Sequence, residues 1–146
     1  MIEQIISEWE KDCRIDPVNL DETSRQTPEL HAKYLSMLSH TKLKLKQAEF
    51  KQKELMLTKW KWYSGKMSRE EISRLDWNPD PFDGLKIMKG DMSRYVEADP
   101  ELVASEAKIE LLKTSIDTLK EIVESLKWRH QTVGNMIRWK QFEAGF

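Results

Sequence analysis

The spacing of apolar residues predicts a short helix at the start of the chain. Apolar positions recur there at steps of three or four, the period of one helix face: they are Ile2, Ile5, Ile6 and Trp9. Asp16-Pro17 favours a turn, so we expect a helix from Ile2 to about Lys11, followed by a linker.

A first long helix is predicted for residues 28–64. Thr27 can cap exposed backbone amides, Pro28 suits the first helical position and Glu29 favours the first turn. Apolar or small residues then recur at steps of three or four: Leu30, Tyr34, Met37, Leu38, Thr41, Leu45, Ala48, Leu55 and Met56. Gly65 is the first residue that interrupts this stretch, so we expect the helix to end there.

A second long helix, about residues 100–142 with Asp99 as its cap, carries the heptad pattern of a coiled coil. Its seam is Ile109, Leu112, Ile116, Leu119, Val123, Leu126, His130, Val133 and Ile137. One neighbouring helix would leave other apolar residues partly outside: Leu111, Ile122, Met136 and Trp139. The apolar seam residues are therefore assigned to self-association.

The segment between the long helices is predicted to hold one short helix and an irregular connection. Ser68 and Glu71 stand at the spacing of a capping box, which favours a helix directly after Ser68. Residues 78–84 contain two prolines and a glycine, which interrupt regular structure. The fold class expected is therefore mainly α.

Length and composition fit one helical domain. The chain has 146 residues, 34% charged, with only five Gly and five Pro, and domains usually run to about 100–200 residues. We predict one domain over 1–146, in which 1–66 holds a basic helix and 100–146 the oligomerisation helix. No run of about 18 apolar residues is present, and no export signal opens the chain, so a cytoplasmic protein is expected.

The net charge of −1 conceals a basic block in the middle of the chain. Residues 41–69 hold nine basic and two acidic side chains, an excess of seven. Residues 1–29 hold three basic and eight acidic groups, and residues 70–110 hold five and eleven. Such asymmetry is typical of a strip that binds a polyanion, although a solvated helix face has the same pattern.

Lysines and aromatic rings alternate at the end of this block, between Lys59 and Lys66. Nonspecific single-strand binding uses cations that meet phosphates and rings on which bases stack, at roughly 1–3 kcal/mol per base. On a helix Trp60 points nearly opposite Trp62, so one tryptophan is expected in the core. The predicted DNA-binding residues are Lys42, Lys44, Lys46, Lys51, Lys53, Lys59, Lys61, Trp62, Tyr63 and Lys66. The alternative is a solvated lysine face with aromatics that close the hydrophobic seam.

Catalytic and metal-binding patterns are weak. Cys13 is the single cysteine, so no disulfide can form within the chain. The three histidines, His31, His40 and His130, lack metal-site spacing, and no Gly-rich phosphate loop is present. Three carboxylates, Asp76, Asp80 and Asp83, could hold a divalent ion but are more typical of turns. We assign no catalytic residue, metal or cofactor, and expect a protein that is not an enzyme.

Four segments, in a fixed order along the chain, carry a family resemblance. They are Lys11-Asp12-Cys13-Arg14-Ile15-Asp16, Trp62-Tyr63-Ser64-Gly65-Lys66, Tyr95-Val96-Glu97-Ala98-Asp99, and Arg138-Trp139-Lys140-Gln141-Phe142-Glu143-Ala144-Gly145. Each is short, but their order and spacing are specific. Over nearly its whole length the chain resembles the UvsY family, recombination mediators of T-even-type phages.

The resemblance implies a ring-like homo-oligomer of roughly six or seven subunits that binds single-stranded DNA in the cytoplasm of the infected bacterium. It implies that the protein helps a UvsX-like phage recombinase to displace the phage single-strand-binding protein and stabilises the presynaptic filament, in recombination, repair and recombination-dependent replication. In the family a basic pair near Tyr-Ser-Gly supports DNA binding. One member falls on Lys59 and the other on Leu57, so Lys61 would have to supply the missing charge. Self-assembly is associated with the C-terminal part.

Two alternatives remain open from the sequence. A structural coiled-coil scaffold would use the heptads alone and would not bind oligonucleotides. A small metal-dependent nuclease would use Asp76, Asp80 and Asp83, and would lose Mg²⁺-dependent cleavage in Asp80→Asn.

Overall fold

Five α-helices make up most of the fold, and the computed structural model describes all residues from Met1 to Phe146. The helices are α1 (Ile2–Asp12), α2 (Leu20–Tyr63), α3 (Arg69–Leu75), α4 (Met92–Glu97) and α5 (Pro100–Glu143), with a 3₁₀ turn at Lys89–Asp91 directly before α4. There is no β-strand. The prediction of a mainly α fold with two long helices is confirmed.

The start of α2 differs from the sequence prediction. The helix begins at Leu20, eight residues before the predicted start at 28. The Asp16 carboxylate accepts hydrogen bonds from the Val18 backbone N–H at 2.9 Å and from the Asn19 side chain at 2.8 Å, which turns the chain into the helix earlier. Thr27 then lies inside α2, with its hydroxyl donating to a backbone carbonyl one turn back, and Pro28 is an interior proline.

Gly65 ends α2 as predicted. Its φ of 75° is readily adopted only by glycine. Gly65 donates its N–H to the Trp62 carbonyl at 3.2 Å, and Lys66 donates to the Lys61 carbonyl at 2.8 Å. This pair of bonds is a Schellman cap, so the end of the helix is fixed by backbone geometry.

The chain divides into two compact units. Unit 1 consists of Met1–Lys44 and Leu111–Phe146, and unit 2 consists of Leu45–Glu110. Each long helix therefore contributes residues to both units.

A hydrogen-bonded cluster around Asp12 holds α1 in unit 1. The Asp12 carboxylate accepts from Lys33 Nζ at 2.7 Å and from the Tyr34 hydroxyl at 2.8 Å. Arg129 donates to the backbone carbonyls of Asp12 at 3.0 Å and Arg14 at 3.1 Å, which satisfies acceptors at the C-terminal end of α1. Burial raises the pKa of Asp12, but the bonds from Lys33 and Tyr34 outweigh it and hold that pKa below its ordinary value.

The heptad seam of α5 is largely buried within one chain. Seven of the eight residues assigned to self-association are buried: Ile109, Leu112, Ile116, Leu119, Val123, Leu126 and Val133. Only Ile137, 41% exposed, remains at the surface. Ile122, expected partly outside, is buried, and Arg129 takes an interior position where the heptad had placed His130, which is exposed. In this structure the buried seam therefore offers no surface to a second copy.

Candidate single-stranded DNA interface

Lys59, the first residue of the predicted motif of lysines and aromatics, is buried in unit 2. Its side chain is 4% exposed, and its ammonium lies 3.1 Å from the Asp99 carboxylate and 3.4 Å from that of Glu101. The same ammonium lies 4.1 Å from the centre of the Trp77 ring and 4.8 Å from that of Trp62. Two carboxylates and two indole faces already surround this cation, so in this structure Lys59 is not available to a phosphate.

Asp99 is the counterion of Lys59 and, as predicted, the cap of α5. One carboxylate oxygen accepts the backbone N–H groups of Glu101 and Leu102, at 3.0 and 3.2 Å. The other accepts the Tyr63 hydroxyl at 2.7 Å. Burial raises the pKa of Asp99, but the hydrogen bonds from Tyr63, Leu102 and Lys59 lower it below its ordinary value. The same burial and the bond to Asp99 raise the pKa of the Tyr63 hydroxyl.

The two aromatics predicted to stack on bases, Trp62 and Tyr63, are packing residues here. Trp62 donates its indole N–H to the Asn78 carbonyl at 2.8 Å, and its ring centre lies 5.1 Å from that of Trp77. Tyr63 is 8% exposed, with its ring centre 5.7 Å from that of Phe82. Both rings are therefore engaged by the segment that follows α2, with Tyr63 buried and Trp62 half-buried.

The rings that do face solvent are Phe50 and Trp60, which sequence reasoning did not select. Phe50 is 60% exposed and Trp60 is 41% exposed. Each carries a cation over its ring, because Lys53 Nζ lies 6.0 Å from the Phe50 centre and Lys66 Nζ lies 4.5 Å from the Trp60 centre. Trp60 and Trp62 point to nearly opposite sides of a helix, which predicted that one of them lies in the core. This spacing did not show which one.

These exposed residues form one continuous strip, named here the outer strip of α2. At 3.6 residues per turn, its helical members lie on the side of α2 that faces away from Lys59. The outer strip is Lys46, Phe50, Lys53, Leu57, Trp60 and Lys61, together with Lys66 three residues after the end of the helix, and all seven are exposed. It combines four lysines with three apolar side chains, and cations and aromatic rings are the groups that nonspecific single-strand binding uses.

Few carboxylates neutralise the outer strip. Lys46 has one long contact of 3.8 Å with Glu49. Lys53, Lys61 and Lys66 have no ion pair within the chain, so their charge is available to an anion. Three other predicted lysines are exposed: Lys44 and Lys51 lie on another side of α2, and Lys42 lies one turn before Lys46, in unit 1.

The acidic turn does not assemble a metal site. No group of three or more His, Cys, Asp or Glu side chains could hold an ion. The Asp80 carboxylate instead accepts the backbone N–H groups of Phe82 at 3.0 Å and Gly84 at 2.6 Å, so it shapes the turn. The three carboxylates that the nuclease alternative would use are therefore not assembled as a metal site.

None of the five helices contains an apolar stretch of the length that a membrane span needs.

Comparison with solved structures finds the same fold in the bacteriophage T4 recombination mediator protein UvsY. One crystal form (lattice type II) matches with a TM-score of 0.79 and 21% identity, covering 99% of this chain and 98% of that one. Two other forms match with a TM-score of 0.78: lattice type IV at 18% identity and lattice type I at 19%. They cover 98% and 96% of this chain, and 98% of each of theirs. At this identity the likeness shows the fold alone.

Comparison with protein families places residues 8–146 in one of them. No curated protein sequence matches the chain. The family model that matches describes a recombination, repair and ssDNA binding protein, UvsY, and covers nearly the whole chain. The chain therefore belongs to the UvsY family.

Proposed function

We propose that this protein is a recombination mediator without enzymatic activity that binds single-stranded DNA along the outer strip of α2. The observation that carries the proposal is the strip itself, where unpaired Lys53, Lys61 and Lys66 alternate with the exposed rings of Phe50 and Trp60. Phosphates meet the cations and bases stack on the rings. Membership of a single-strand-binding family supports the same function.

The buried cluster around Lys59 supports this site indirectly. It fixes Trp62 and Tyr63 against the following segment, so the end of α2 is rigid and the outer strip keeps its spacing. A preformed strip loses little conformational entropy when DNA binds. Lys59 is thus proposed as a positioning residue rather than a phosphate contact.

In the proposed mechanism several copies act together in the cytoplasm of the infected host. A ring-like homo-oligomer repeats the outer strip, so many weak contacts bind one strand through high effective concentration. The bound strand is presented to a UvsX-like recombinase, which replaces the phage single-strand-binding protein on it. The mediator bends or wraps the strand into a form on which the recombinase nucleates, and it stabilises the resulting presynaptic filament.

The test is a fluorescence-anisotropy titration of labelled oligothymidine at several salt concentrations. We compare the wild type with Lys61→Ala/Lys66→Ala and with a control of equal charge loss, Lys108→Ala/Lys120→Ala, after light scattering confirms equal mass. Two lost phosphate contacts reduce the slope of log affinity against log salt by about 1.4 in the first variant only. Equal behaviour of the two variants contradicts the site. Absence of binding in the wild type favours the scaffold alternative.

A further inference from the structure

A cavity in unit 2, apart from the outer strip, combines aromatic rings with charged side chains. Its volume is about 600 Å³, within the roughly 300–1,000 Å³ of pockets that hold small ligands. Tyr63, Ile87, Ala98 and Pro100 line it, and Asp91, Arg94, Tyr95 and Asp99 also border it. The Asp99 carboxylate is already bound by Lys59 and Tyr63. Apolar and aromatic lining with a few polar groups is typical of such pockets.

Tyr95 is held so that its ring borders the cavity. Phe82 meets it edge to face, with the ring centres 5.4 Å apart and the planes at 88°. Phe82 is itself fixed, because its backbone N–H donates to Asp80 and its ring lies against Tyr63. Tyr95 remains 36% exposed, so part of the ring is open to a flat ligand.

Two charged groups beside this ring have no partner in the protein. Arg94 and Asp91 both line the cavity and both are exposed, and neither side chain forms an ion pair or hydrogen bond within the chain. An arginine binds phosphate oxygens in a bidentate manner. A carboxylate accepts N–H groups, such as the amino and ring N–H groups on the edges of bases.

We propose that this cavity takes one unstacked base of the bound strand, with the base on the Tyr95 ring, its N–H edge toward Asp91 and its phosphate on Arg94. The proposal rests on the proposed single-strand-binding function and adds a base-binding subsite to it. A base in a duplex is stacked and paired, so it must be extruded before it can enter such a pocket. The subsite therefore favours single strands over duplex, which phosphate contacts alone do not.

The first experiment locates the base directly. An oligothymidine carrying one 5-iododeoxyuridine is bound to the intact protein and irradiated, and the cross-linked peptides are identified by mass spectrometry. We expect cross-links at Tyr95 as well as at the rings of the outer strip. Cross-links at Phe50 or Trp60 but never at Tyr95 overturn the subsite and leave the proposed function intact. Failure of the oligonucleotide to bind at all overturns both.

Matched variants then test the contacts proposed for Arg94 and Tyr95. Arg94→Gln removes the cation, Tyr95→Leu removes the ring but keeps an apolar contact with Phe82, and Lys89→Gln removes a nearby charge that does not line the cavity. We expect Tyr95→Leu to bind oligothymidine roughly five-fold more weakly or worse, the low end of one base–ring stack. Arg94→Gln should weaken binding and reduce the slope of log affinity against log salt by about 0.7, the value of one phosphate contact. Lys89→Gln should change affinity less.

A further comparison separates the subsite from general charge effects. Tyr95→Leu should lose part of the preference for single strand over duplex, whereas Lys61→Ala should weaken both alike. Circular dichroism confirms that each variant is folded. Tyr95→Leu with unchanged affinity and unchanged preference contradicts the proposal.

Discussion

At the residue scale, burial gives Lys59 a different role from the DNA contact that its sequence motif predicted. The sequence places it among lysines and aromatics that suit DNA, and the structure gives it two carboxylates and two indole rings instead. Removing one partner of a buried ion pair costs about 3–5 kcal/mol, because the other charge stays buried without its counterion. Lys59 is therefore expected to affect the stability of the fold directly, and DNA binding only indirectly.

Lys59→Gln is expected to lower the free energy of unfolding by about 3 kcal/mol, the low end of that range, because Tyr63 and two backbone amides still bind Asp99. Lys61→Gln, an exposed neighbour, should change it by less than about 0.5 kcal/mol. Urea unfolding followed by circular dichroism measures both. Equal changes in the free energy of unfolding for the two variants would show that the ion pair of Lys59 does not stabilise the fold.

The pH dependence of stability is expected to report on Asp99. Its pKa is below the ordinary value in the folded protein, so its ionisation stabilises the fold above the unfolded pKa of about 3.9. That contribution is lost as the pH falls through the folded pKa. Asp99→Asn keeps a capping side chain and removes the charge.

Urea midpoints of the wild type and Asp99→Asn measure this contribution across pH. The difference between them should be constant from about pH 7 to pH 5 and shrink below about pH 4, where the unfolded carboxyl titrates. A difference that stays constant to pH 2 would mean that the charge of Asp99 has no role.

At the scale of the elements, apolar periodicity predicted the two long helices and the glycine stop, since these depend on local sequence. The start of α2 was missed because Asp16 and Asn19 form a turn whose bonds override the start signal at Thr27 and Pro28. The heptads of α5 were found, but periodicity cannot show whether a seam is covered by the same chain or by another. Likewise, spacing did not identify the exposed rings of Phe50 and Trp60.

Pro28→Ala tests the observed helix start. A proline inside a helix destabilises it by about 3 kcal/mol through its missing N–H and its ring clash. Because proline also restricts the unfolded chain, roughly 0.4–1 kcal/mol of that cost is offset. We expect the substitution to raise the free energy of unfolding by about 2 kcal/mol, and exposed Ser39→Ala to give a much smaller change in the same assay. If α2 began at residue 28, proline would suit its position and replacement would not stabilise the protein.

At the scale of the whole molecule, the seam of α5 is buried, so we now expect self-association through the exposed C-terminal end of α5. Trp139 and Phe142 are 61% and 69% exposed, and their rings stack 5.5 Å apart. Exposed apolar groups that lie together favour contact with another protein surface. The outer strip of α2 also exposes Phe50 and Leu57, but there lysines interrupt the apolar positions.

Trp139→Ser/Phe142→Ser is expected to reduce the molecular mass measured by light scattering while the helical circular dichroism is kept. Val18→Ser, at an isolated apolar residue that is 80% exposed, should leave the mass unchanged. Leu119→Ser should instead unfold the chain, because that side chain is fully buried. A double variant of unchanged mass would place the subunit contact elsewhere.

The division of the chain into two units also sets an order of events during synthesis. Unit 2 is one continuous stretch, so its contacts can form while the rest of the chain is still being translated. Unit 1 joins Met1–Lys44 to Leu111–Phe146, and Arg129 binds the end of α1 across more than a hundred residues. Until Arg129 leaves the ribosome, the backbone carbonyls of Asp12 and Arg14 lack these bonds, and α1 is held to α2 alone, through Lys33 and Tyr34. The last bonds that fix the end of α1 therefore form only after most of the chain has been made.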